Sequence, residues 1–138
     1  MPVPLLDLRA QHALIRDEVV TAMMEVVDAQ TFILGEPVAR LEADVARLSR
    51  TTHAIGCASG TDALLLAFRA LDIGRGDEII TSPFTFFATA GTIHNVGAKP
   101  VFVDIEPKTF NIAPAAARAA VNARSKAVVP VDLFGQMA

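Results

Sequence analysis

Cysteine is nearly absent: Cys57 is the only one in 138 residues, so no intrachain disulfide can form. A thiol inside a short apolar run behaves as a small hydrophobe, and the run around Cys57 predicts a core position. A single cysteine also fits a reducing compartment, and a cytoplasmic location is expected. Excess charge of one sign is missing too. Twelve Lys and Arg stand against 15 Asp and Glu, interleaved along the chain, for a net charge of -3. That balance provides neither a nucleic-acid-binding face nor a surface for anionic lipid, so small molecules are the expected partners. No apolar run is long enough to span a bilayer, and the start MPVPLLDLRAQ has no basic segment leading into an apolar stretch. There is no G-x-G-x-x-G and no Walker A sequence, which leaves an ordinary dinucleotide or ATP site without support. His12, His53 and His94 are scattered without the spacing of metal ligands.

What is present is a globular composition, with 52% hydrophobic and 20% charged residues. Pro2 to Leu8 reads as an extended lead-in, with Asp7 able to cap a helix starting just after it. From Arg9 to Ala29 the apolar residues Ile15, Val19, Met23 and Val26 or Val27 recur at helical spacing and predict a helix with one packing face. Gly35 and Pro37 punctuate the chain. A second helix is expected over Pro37 to Ser49 on Val38, Leu41, Val45 and Leu48. Phe32 and Ile33, between the two helices, are read as loop side chains tucked against the core.

The rhythm then changes. Strand-like runs are His53 to Ala58, Glu78 to Thr81, Val101 to Ile105 and Ala127 to Val131, and helix-length segments at Ala63 to Leu71, Phe84 to Val96 and Ala113 to Ala123 separate them. Apolar strands joined by helical crossovers predict an α/β fold with a mainly parallel sheet flanked by helices and right-handed connections. In such sheets ligands sit at the carboxyl ends of the strands. That rule selects the Ser59-Gly60-Thr61 turn, the segment from Thr81 to Phe87, the Asp104 to Pro107 turn, and Asp132 to Gln136.

Ser59 with Asp62 three residues on fits a capping box. The free N–H groups at this helix start, with the Thr61 hydroxyl, suit a phosphate, and Gly60 permits close approach. A capped helix that binds nothing explains the same residues. Phe84, Phe86 and Phe87 crowd a strand-to-helix joint where polar residues are the default. They are either core or a platform for a planar cofactor whose phosphate lies in the neighbouring turn. His94, in an apolar helix, reads as a surface or packed histidine, and Asp104 and Glu106 as solvated acids at a turn.

Several blocks, PLLDLRAQ, TFILGEPVARLE, SGTDALLLAFRAL, GRGDEIITSPFTFFATA, GAKPVFVDIEPKTFNI and VDLFGQ, stand in one order from end to end. In these the chain resembles the pyridoxal-phosphate-dependent sugar aminotransferases of the DegT/DnrJ/EryC1/StrS family. The resemblance implies the N-terminal portion of an aspartate aminotransferase-like large domain, of PLP fold type I. Residues 1–50 would be an N-terminal helical segment, and 51–138 the first part of the cofactor-binding domain. It implies transfer of an amino group, usually from glutamate, to a keto group on a nucleotide-linked sugar, at sites built in a homodimer. Carried over by position, the N–H groups of Gly60 and Thr61 and the Thr61 hydroxyl would hold the cofactor phosphate, and Phe86 would stack on the pyridine ring.

The same resemblance places the acidic partner of the pyridine nitrogen, and then the lysine that bonds the cofactor, in blocks that are not among these residues. Lys99, Lys108 and Lys126 fall outside the family's lysine block and read as surface charges. The 138 residues are thus expected to be a fragment of the machinery, inactive alone, with no catalytic residue of their own. Rival readings are a noncatalytic or regulatory remnant that keeps the phosphate turn, and a structural fragment completed by a second polypeptide.

Overall fold

The computed structural model describes residues 3–4 and 6–138. By its internal contacts the chain divides into two compact units, Met1–Gly56 and Cys57–Ala138. The expected lead-in falls partly on residues 2 and 5, which lie outside the described residues.

In the first unit α1 spans Arg9–Ala29 and α2 spans Glu36–Ser49. Asp7 does serve the start of α1: its Oδ1 accepts the Arg9 N–H at 2.9 Å. Both helices end on a left-handed residue, Gln30 at φ 54° and Arg50 at φ 54°, whose N–H turns back to a carbonyl of the last turn. Pro37 occupies the first turn of α2, where its missing N–H costs nothing. The helical periodicity is real, yet α1 buries no residue. Ile15, Val19, Met23 and Val27 remain exposed, and so do Phe32 and Ile33, which therefore do not tuck into a core.

The second unit begins with α3, Gly60–Ala70, and continues through β1 (Glu78–Thr81), α4 (Phe87–Asn95), β2 (Lys99–Phe102), α5 (Pro114–Ala120) and β3 (Ser125–Val129). The three strands are all parallel, in the order β2-β1-β3. Every residue of the central strand β1 is buried. Its consecutive isoleucines point to opposite faces, as the pleat requires. Ile79 packs with Phe68, Ile73, Ile93 and Ala98 beneath α3 and α4, while Ile80 packs with Ile112 and Ala117 on the α5 side. Two adjacent residues thus explain why the sheet is covered on both sides.

Three further expectations, on residues 53–58, Cys57 and the start of α4, require correction. Residues 53–58 form no strand, so the described sheet has three strands rather than four. Ala54, Gly56 and Ala58 have little side-chain surface to bury, and the Gly56 N–H is taken by Glu42 Oε1 at 2.7 Å instead of by a strand. Cys57 is accordingly exposed, not core, with its thiol directed at the Ser59 carbonyl at 3.4 Å. The helix expected from Phe84 starts only at Phe87. Local turns win there: Ser82 Oγ accepts the Phe84 N–H at 3.0 Å, and the Thr85 N–H donates to the Pro83 carbonyl at 3.0 Å.

Strands β2 and β3 each lie about two residues earlier than the apolar runs suggest. Pairing decides this, because Glu78 at the start of β1 aligns with Lys99 and Ser125. β3 gives way at Pro130, which has no N–H for the ladder.

Candidate functional site

The carboxyl edge of the sheet is a point of divergence. The chain leaving β1 enters α4 on one face, while the chain leaving the neighbouring strand β2 enters α5 on the other. Adjacent strands whose connections part in this way open a crevice between their carboxyl ends, the usual ligand position in open parallel sheets. Segments 82–86 and 103–106 leave β1 and β2 at this edge.

α3 packs against α4. Its C-terminus leads through residues 71–77 to the start of β1, so its N-terminus lies toward the carboxyl edge. Ser59 is the N-cap in an extended conformation (φ -163°, ψ 166°), and its Oγ accepts the Asp62 N–H at 3.1 Å. The same hydroxyl lies 3.2 Å from Asp62 Oδ2, which ties the carboxylate to the cap. Ser59 and Asp62 therefore satisfy each other. The N–H groups of Gly60 and Thr61, the first two of the helix, have no intrahelical acceptor. Thr61 is exposed, and a Cβ built on Gly60 would meet nothing within 4 Å. An anion can reach these donors without displacing a side chain, and the helix dipole favours it there.

The three phenylalanines after β1 separate into different roles. Phe84 is 36% exposed, whereas Phe86 and Phe87 are 72% and 80% exposed. Phe84 stacks on Phe110, with centroids 5.6 Å apart and planes at 27°, and meets Phe134 edge-on at 6.1 Å and 62°. Phe86 is the N-cap of α4 (φ -70°, ψ 146°), presented at the joint with most of its ring surface open. Its carbonyl accepts the Thr89 N–H at 3.1 Å, and Thr85 Oγ1 lies 2.8 Å from Thr89 Oγ1, which holds the joint to the first turn of α4. These contacts leave Phe86 a fixed backbone and an uncovered face, which suits a planar ring.

The aromatic cluster was not legible in the sequence. Phe110 sits at φ 62°, in the left-handed region, at a cost of order 1–3 kcal/mol for such a residue. The tight turn around it imposes that conformation: the Phe110 N–H donates to the Glu106 carbonyl and the Glu106 N–H to the Asn111 carbonyl, both at 2.8 Å. The segment PKTF carries no glycine or asparagine to announce such a turn. Asp104 and Glu106 are exposed. His94 is exposed near the end of α4, away from the joint at Phe86.

The lysines also sort by position. Lys99 opens β2 and Lys126 lies early in β3, so both stand at the amino edge of the sheet, opposite the crevice, near Glu78 (3.8 Å) and Asp77 (4.0 Å) respectively. Among the described residues, no group of three or more His, Cys, Asp or Glu is arranged to hold a metal, and no helix is long and apolar enough to cross a membrane. A cleft of about 600 Å³ lies within the first unit between α1 and α2, lined in part by Ala22, Val26, Pro37 and Leu41. The first turn of α2 contributes Glu36 and Pro37 to its lining, a carboxylate and a residue without an N–H, which do not suit an anion.

Comparison with known proteins bears on the fold and the family. The chain is 54% identical over its whole length to the pleiotropic regulatory protein of Geobacillus stearothermophilus, covering 37% of that protein. It is 50% identical over 96% of its length to a UDP-N-acetyl-3-dehydro-alpha-D-glucosamine 3-aminotransferase of Acidithiobacillus ferrooxidans, covering 36% of it. Among solved structures, DesV of S. venezuelae superposes with a TM-score of 0.95 at 38% identity, over 99% of this chain and 37% of that one. The chain thus spans little more than a third of the relatives it matches, and the architecture is the N-terminal portion of PLP fold type I. Over residues 13–138 it matches the model of the DegT/DnrJ/EryC1/StrS aminotransferase family, and it belongs to that family.

Proposed function

We propose that these residues supply the phosphate cradle and the ring platform of a pyridoxal-phosphate-dependent aminotransferase acting on a keto group of a nucleotide-linked sugar, with glutamate as donor. The family works with pyridoxal phosphate. In this reading residues 1–50 are an N-terminal helical segment, and 51–138 are the first part of the cofactor-binding domain. The observation that carries the reading is the open N-terminus of α3, together with the exposed Phe86 at the start of α4, the helix that α3 packs against. The Gly60 and Thr61 N–H groups and the Thr61 hydroxyl would bind the phosphate as fixed donors that need no reorganisation. Phe86 would orient the ring by covering one face and keeping water from it. Bound there, the cofactor supplies an electron sink and a carrier for the amino group.

A cytoplasmic location suits the single cysteine. Self-association, as a homodimer in the complete enzyme, suits the apolar side chains left exposed on α1 and α2.

The test is an equilibrium titration with pyridoxamine phosphate, which carries the phosphate and the ring but no aldehyde to react with surface lysines. Saturable binding that inorganic phosphate competes away is expected. Binding indifferent to phosphate, or none at all, overturns the assignment. In a chain of the relatives' length that begins with these residues, glutamate should be consumed beyond one equivalent per cofactor only when a keto nucleotide-sugar is present.

A further inference from the structure

We propose that Phe84, Phe110 and Phe134 form an aromatic clamp that positions Phe86 at the rim of the crevice. The inference rests on the reading of Phe86 as the ring platform, and it adds three positioning residues that act through Phe86. The three rings come from three separate connections, those following β1, β2 and β3. Phe84 is the common member, 5.6 Å from Phe110 and 6.1 Å from Phe134 between centroids. The clamp therefore draws together the ends of all three strands at the edge where the site lies.

Its reach to Phe86 is short and stiff. Only Thr85 intervenes, and it is held from both sides, by its N–H on the Pro83 carbonyl (3.0 Å) and by its hydroxyl against Thr89 Oγ1 (2.8 Å). The Phe84 N–H is fixed on the buried Ser82 Oγ at 3.0 Å. The Phe84 ring, packed on Phe110 and Phe134, and its bonded N–H anchor the backbone that reaches Phe86 two residues on. Phe110 supplies independent support, because a phenylalanine at φ 62° is strained where glycine would not be, and its stack on Phe84 joins the turn's two backbone hydrogen bonds in offsetting that strain.

The experiment uses the whole chain and four variants, Phe84→Ala, Phe84→Tyr, Phe110→Gly and Phe86→Ala, followed by hydrogen exchange of residues 82–89 and by pyridoxamine phosphate titration. Phe110→Gly is the cleaner probe, since glycine accepts the turn's φ and only the ring is lost, and it keeps the test open if Phe84→Ala does not fold. Phe84→Ala and Phe110→Gly should speed exchange in 82–89 roughly two- to tenfold, the change that loss of one aromatic pair supplies. They should weaken pyridoxamine phosphate by a similar factor, and Phe84→Tyr should behave like the parent. The clamp is overturned if exchange in 82–89 is unchanged in Phe110→Gly, or rises equally throughout 57–138. Faster exchange with unaltered affinity in Phe110→Gly overturns the positioning role. If exchange responds but Phe86→Ala binds as the parent does, the platform reading fails, and the clamp stands as a loop-ordering device alone.

Discussion

Arg124 holds Glu78 by side chain and backbone together: Nε and Nη2 donate to Glu78 Oε1 at 3.0 and 2.9 Å, and the Glu78 N–H donates to the Arg124 carbonyl at 2.8 Å. Asn122 Nδ2 donates to the other carboxylate oxygen at 2.8 Å. Glu78 begins the central strand and is itself buried, so this cluster pins the lead-in to β3 against the amino end of β1. The Asn122 hydrogen bond, then that of Arg124, holds the Glu78 carboxyl below its usual value of 4.5 despite the opposing effect of burial.

A pH dependence arises from this cluster. A carboxyl whose folded pKa is depressed contributes stability that is fully present above the unfolded value and is lost as pH falls through the folded one. Glu78→Gln should lower the melting temperature at neutral pH, and the gap to the parent should close as pH drops below about 4.5. Melting curves from neutral to acid pH check this. A gap that persists undiminished in acid would assign the effect to packing rather than to charge.

Thr61→Ala should weaken pyridoxamine phosphate roughly ten- to a hundredfold, because a hydrogen bond to a charged group is worth about 1.5–3 kcal/mol. Thr61 is exposed and caps nothing, so melting should stay close to that of the parent. Unchanged affinity would remove Thr61 from the phosphate site.

Phe86→Ala should cost more affinity for pyridoxamine phosphate than Phe84→Ala, and Phe84→Ala more stability. The first ring is 72% exposed and the second is held between Phe110 and Phe134. Titration and thermal melting of the two variants side by side decide it. Equal losses in both measurements would remove the division of roles between the two rings.

Ser59→Ala removes the acceptor for the Asp62 N–H and the partner of its carboxylate. A lost N-cap costs about 0.5–2 kcal/mol, and exchange of the α3 amides should quicken accordingly. If those amides are unaffected, the cap is not what holds the helix start.

Self-association should be visible by sedimentation at micromolar concentration. Ile15, Val19, Met23, Leu41 and Val45 leave apolar faces of α1 and α2 exposed, and water disfavours that surface. A monomer at every concentration would contradict this.

Much of the fold was legible from residue order alone. Helix α1 could be bounded from periodicity and β1 from its run of apolar residues, because each pattern is local: 3.6-residue spacing in one, a short β-branched stretch in the other. Gly60 and Thr61 could be marked as candidates for the same reason, and Phe84, Phe86 and Phe87 as a cluster at a strand-to-helix joint, from which the family resemblance singled out Phe86. Only tertiary structure decided the rest. Whether residues 53–58 become a strand depends on finding a partner edge, and β2 and β3 took their bounds from pairing with β1. Phe84, Phe110 and Phe134 lie far apart in sequence and carry no pattern that joins them. Their meeting is fixed by the parallel strand order β2-β1-β3, which returns three distant loops to one edge, and no local propensity encodes that return.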